Sequence, residues 1–239
     1  MKDIFGIYNI RSRISVVIVF LAPLIIQSYI LVPEIRNLSS TLIITFVAYA
    51  LSGLIILFSR RKSGKILNEC FPNGLPAQQY LMPSNSHLNK CVKERYYNFF
   101  KNHLADFTLS QNDEEMKKQT DSAVTWLISQ TRNSSKFPLI AEENMDLGFA
   151  YNLLGIKSIG ICLCTLMLIF NSITIVAYCK FDLTINLNLV IYCLISDVLC
   201  LMMWIILINK SLVISCAKKY AHALLSSCDA PELNTDLNK

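Results

Sequence analysis

One acidic residue stands where an acid is costly. Asp197 falls near the centre of an apolar run, Thr184 to Ile208, that has the length of a membrane span. On insertion scales an acid at that depth costs about 2.5–3.5 kcal/mol. Fourteen Leu, Ile and Val residues in the same run, at roughly −0.5 kcal/mol each, outweigh it. Helical spacing places Asn186, Cys193, Cys200 and Trp204 on the face of Asp197. The preceding apolar run carries a matching stripe of Gly160, Cys164, Met167, Asn171 and Tyr178. Counting from the inner interface sets Thr165 and Cys164 at the depth of Asp197, and Asn171 nearer Asn188. Two chemistries fit these residue types. One is a pore lining, or a site for a proton or cation. The other is a protonated acid that hydrogen-bonds between helices and fixes their packing. A single acid makes no relay, which favours the second.

The remaining polar candidates are weaker. Arg60, Arg61, Lys62 and Lys65 form a basic run suited to anionic lipid headgroups and to fixing topology. Gly64-Lys65 lacks the preceding glycine and following Ser or Thr of a phosphate-binding loop. Arg95 and His103 resemble the Arg-x(4–6)-His ribonuclease pair of HEPN domains, but seven residues separate them. His87 and His222 stand isolated in the sequence. Glu142, Glu143 and Asp146 are metal-ligand types, yet they also suit the first turns of a helix, where the macrodipole favours acids. The nine cysteines include no C-x-x-C pair, and five of them sit in or beside apolar segments as small hydrophobes. No nucleophile, general base or metal set can be assembled, so the reading is a non-enzyme with no cofactor and no catalytic residue.

Four apolar runs must position these residues. The chain has 239 residues, 53% of them hydrophobic and only 16% charged, against about 25% charged in soluble proteins. A short amphipathic start reaches Arg13. Ile14 to Val32 then runs without a charge for roughly 28 Å, about the hydrocarbon thickness. Pro23 is expected to kink it. After the loop Pro33 to Ser40, the second run spans Thr41 to Phe58, with a stripe of small residues at Thr41, Thr45, Ala48 and Ser52 that would let helices approach closely. Runs three and four are Leu153 to Tyr178 and Thr184 to Ile208. Lys and Arg cluster before run one, after run two and after run four, which places both termini and the centre of the chain in the cytoplasm. The outward sequon Asn37-Leu38-Ser39 lies too near the membrane for glycosylation.

The expected fold is therefore all-α: a multi-pass inner (plasma) membrane protein with four transmembrane helices as two hairpins. Its segments are 1–58, a cytoplasmic helical module 59–152, a second hairpin 153–208 and a tail 209–239. The module opens with turns at Pro72-Asn73-Gly74, Pro76 and Pro83-Ser84-Asn85. One amphipathic helix is predicted from Leu88 to Phe107, its face marked by Val92, Tyr96, Phe99, Phe100 and Leu104. A second is predicted from Asp113 to Thr131, with Asn112 and Glu115 as a capping box and Met116, Ala123, Val124, Leu127 and Ile128 buried. In the tail, Leu212, Cys216, Tyr220 and Leu224 share one helix face, and the chain from Asp229 is expected to be disordered.

The run Arg132 to Ile161, with Lys136-Phe137-Pro138-Leu139, Glu142-Glu143-Asn144 and Asn152-Leu153-Leu154-Gly155-Ile156-Lys157, is similar to stretches of small bacterial multi-pass proteins. The plan of few spans and a small cytosolic helical module resembles membrane effectors and accessories of antiviral defence. The small-residue stripe of run two, the polar stripe on runs three and four and a module too small to act alone point to a non-enzymatic, oligomeric, channel-like membrane effector whose module senses a cytosolic protein or a small signalling ligand. The alternatives are a membrane-anchored scaffold that recruits a cytosolic partner, and, ranked last, a membrane enzyme or small transporter. The expected partners are the lipid bilayer and further copies of the chain, with no direct nucleic-acid binding at a net charge of +5.

Overall fold

The computed structural model describes residues 10–33, 62, 64–181 and 185–234. The expected second span and its small-residue stripe, the sequon, Arg60, Arg61 and Thr184 lie outside the described residues. Those described form helices joined by turns, with no strand among them. In chain order, a π-helical turn (Ile10–Ile14) leads into α1 (Ser15–Leu31), followed by α2 (Pro76–Leu81), α3 (Lys90–His103) and α4 (Asp113–Gln130). Then come α5 (Pro138–Phe181), α6 (Leu187–Met202) with a π-helical extension Met203–Leu207, α7 (Lys210–Ser226), a 3₁₀ turn (Ser227–Asp229) and α8 (Pro231–Asn234). The helices divide into two compact units, residues 1–66 with 148–212, and residues 67–147 with 213–239.

The first unit is built from apolar helices. Two helices, α5 and the run Leu187–Leu207, are long and apolar enough to cross a membrane, and α1 is a shorter apolar helix. Ser12 of the π-helical turn and Val16, Pro23 and Gln27 of α1 are buried and recur at helical spacing, while Ile18 and Tyr29 are exposed. The helix continues through Pro23. On α5 and α6 the buried positions are Leu153, Ile156, Gly160, Cys164 and Asn171, facing Val190, Cys193, Asp197 and Trp204. These steps of three and four are the seam of closely packed helices. The outer faces are apolar and open: Phe170, Ile173 and Leu199 are each at least 60% exposed. The span predicted from Leu153 is the continuation of a helix that starts earlier, as Glu142, Glu143 and Asp146 suggest. Helix α5 begins at Pro138, because Phe137-Pro138 places a proline at a helix start, where its missing N–H costs nothing. Glu142, Glu143 and Asp146 thus fall after the first turn.

The second unit has the opposite arrangement, an apolar cluster within a polar surface. Leu81, Phe100, Met116, Ala123, Leu127 and Leu224 are fully enclosed, and burying a Leu, Met or Phe side chain stabilises by about 1.5–3 kcal/mol. Helix α4 forms as predicted and α3 forms within the predicted stretch but ends at His103, four residues short of Phe107; the predicted apolar faces turn inward. Asn89 and Asn112 cap them by accepting from the backbone N–H groups of Cys91 and Glu114, both at 3.0 Å. Glu115 does not close a capping box; it accepts from the Ser110 hydroxyl instead. Pro76, read as a breaker, begins α2, again as a first-turn proline. On α7 the buried stripe is Val213, Ala217, Ala221 and Leu224, one residue round from the predicted stripe. The small alanines let the helix sit close, and the bulkier Leu212, Cys216 and Tyr220 move to the half-buried rim. The chain after Asp229 is ordered through Asn234: Arg95 grips Asp229 through two 2.7 Å contacts, and Leu233 packs on the cluster.

Candidate functional site

Asp197 is the centre of a polar cluster inside the first unit. It lies ten residues into the apolar run Leu187–Leu207, so about 15 Å along it at 1.5 Å per residue. The residue is fully buried, as are Asn171 and Gln27 to within a few per cent. The Asn171 side-chain amide donates to Asp197 Oδ2 at 2.7 Å, and the Gln27 amide donates to the same oxygen at 3.0 Å. One carboxylate oxygen thus ties α1, α5 and α6 together. Among the described residues, Oδ1 of Asp197 has no hydrogen-bond partner, and neither does Nε1 of buried Trp204.

The register of α5 and α6 explains why Asn171, not Thr165, meets the acid. A Cβ added at Gly160 would come within 2.5 Å of the Trp204 ring, so only glycine lets the indole lie against the α5 backbone. Lys157 Nζ donates to the carbonyls of Ile205 at 3.0 Å and Ile208 at 2.6 Å. These pairings make the helices antiparallel and set Asp197 level with Met167, one turn from Asn171. Side chains lean toward the N-terminus of their own helix. On antiparallel helices Asn171 and Asp197 therefore lean toward each other. Thr165 is exposed and returns its hydroxyl to the Ile161 carbonyl. Lys157 performs a second task. The π-helical end of the apolar run leaves carbonyls without intrahelical donors, and the ammonium supplies them.

The other predicted residues divide. Cys193 is buried and Cys200 half-buried on the face of Asp197. Asn186 is exposed, preceding α6 without capping it through its side chain, and so stands apart from the cluster. Gln27 was missed because α1 carries no acid or base to draw attention to it; its place in the buried series with Val16 and Pro23 was the available signal. Of the basic run, Lys62 and Lys65 are exposed.

In the second unit, Arg95 and His103 do not meet. Arg95 holds Asp229, and that carboxylate holds the guanidinium charged by raising it above its ordinary value. His103 faces the carbonyls of Phe99 and Leu233 at 2.8 and 3.1 Å, beside Trp126. By contrast, His87 and His222 are brought together, 3.0 Å apart between their Nε2 atoms. No three His, Cys, Asp or Glu side chains among the described residues converge as a metal cluster. No protein-family model matches the chain, and no curated protein or solved structure is similar to it.

Proposed function

We propose that the chain is a multi-pass membrane anchor that presents its second unit as a helical docking module to a cytosolic partner or signal. The carrying observation is how the first unit uses its polar groups. Asn171 and Gln27 both donate to Asp197 within one chain, while the surface turned outward is apolar. Groups spent on an internal clasp hold helices together rather than line a path. Apolar helix surfaces left open suit lipid, since lipid tails replace the contacts that water would penalise. The distribution of Lys and Arg supports cytoplasmic termini in the inner membrane.

A second reading, an oligomeric channel-like effector, draws on one observation. Oδ1 of Asp197 is buried without a partner, and it is the oxygen that would carry a proton or meet a cation. The two readings separate by the mass of the full chain in a nanodisc and by ion flux. A monomer or dimer with no flux supports the anchor. A ring of four or more copies, whose flux disappears in a folded Asp197→Asn variant, would overturn it in favour of the channel.

A further inference from the structure

The second unit holds a histidine pair that the clasp and the anchor do not use. His87 sits in the turn before α3, and His222 lies on α7, 135 positions away in sequence. Their imidazoles meet edge to edge, with Nε2 atoms 3.0 Å apart and ring centroids 5.1 Å apart. The meeting is built into the fold. Tyr80 of α2, itself buried, stacks on His87 at 4.1 Å with 18° between planes, and tilts against His222 at 5.3 Å. Lys93 donates to the carbonyls of Met82 and Asn85, fixing the turn that carries His87. The His87 backbone N–H donates to Asn85 Oδ1 at 2.8 Å.

We propose that His87 and His222 form a two-imidazole site for a borderline divalent transition metal ion, zinc being the best fit. Zinc takes imidazole nitrogen at about 2.0–2.1 Å in tetrahedral geometry, which separates two ligand nitrogens by roughly 3.3 Å. The pair requires only a few tenths of an ångström of opening to accept the ion. Imidazole binds zinc, copper and nickel, whereas hard ions such as magnesium or calcium demand oxygen. The ligand must be unprotonated. With no third His, Cys, Asp or Glu in the group among the described residues, the remaining coordination positions belong to water or to a donor from another molecule. Both rings are exposed, which leaves those positions open. The ion would clip the returning C-terminal segment, residues 213–239, onto residues 67–147 of the same unit.

The test uses the full chain in mild detergent, with accessible cysteines alkylated so that thiols do not compete. Zinc chloride is titrated against a chromophoric chelator, and thermal unfolding of the module is followed in parallel. The expected result is one ion per chain and a melting temperature that rises with zinc. His87→Asn and His222→Gln should each lower zinc affinity at least tenfold and abolish that rise. Each variant's helical circular dichroism and melting without zinc report whether it folds, and should stay near the parent values. Absence of binding by the parent protein at 100-fold excess zinc, or equal binding by parent and folded variants, would overturn the proposal.

Discussion

The two units solve opposite solvation problems. The second hides Phe100, Leu127 and Leu224 and shows water its polar side chains. The first exposes Phe170, Ile173 and Leu199 and hides Asp197, Asn171 and Gln27. In water, burial of apolar area drives assembly. In hydrocarbon that drive vanishes between helices, and close packing with buried hydrogen bonds replaces it. The difference teaches which residues matter in each half: large apolar ones in the module, small and polar ones in the apolar helices.

Substitutions that reverse these roles test the contrast. The chain's two tryptophans help, because Trp126 lies in the second unit and Trp204 in the first. Phe100→Ala should have the largest effect, a loss of about 3–5 kcal/mol of module stability, read in denaturant through Trp126 in a Trp204→Phe background. A loss below about 1 kcal/mol would mean that the cluster does not carry the fold. Next is Gly160→Leu, which drives a side chain into the indole. Overpacking costs about 1–3 kcal/mol, and the Trp204 emission should shift as the helices part; unchanged emission would contradict the register.

Asp197→Leu should cost about 1–2 kcal/mol, because it strips both the Asn171 and Gln27 amides of their shared acceptor, and an interhelical bond of this kind averages about 0.6 kcal/mol. Asp197→Asn, which keeps an acceptor, should be milder, and equal effects would remove the clasp from the account. Acid should also weaken the module. His222 holds its proton less firmly folded than unfolded. Stability is therefore full above the unfolded value of about 6.5 and falls as pH drops through the window below it. Melting curves of His222→Gln should lose that slope. The smallest effect belongs to Leu199→Ala, within about 0.5 kcal/mol, since on the proposed membrane reading this exposed leucine exchanges one apolar neighbour for another. A cost of several kcal/mol would make that face a packed interface.

Much of the module was legible because α3 announces itself by aromatic residues at helical spacing, and α4 by its buried apolar face and the Asn112 cap before Glu114. The buried face of α7 was misread by one position because large residues attract attention, whereas close approach selected Ala217 and Ala221. Asp197 was found by its cost in an apolar run, and its partner was missed by counting backbone depth while ignoring side-chain tilt. Gln27 and the His87–His222 pair depend on contacts between residues more than a hundred positions apart. Periodicity carries no information about such meetings.

Lipid contact itself tests the central claim most directly. The full chain would be placed in a membrane carrying a photoactivatable diazirine lipid, and the adducts located by mass spectrometry. The account predicts labelling at Leu166, Phe170, Ile173, Tyr192 and Leu199, with none at Cys164, Asn171, Asp197 or the module residue Leu127. Adducts on both faces of α5 and α6 alike, or none on either helix, would contradict it.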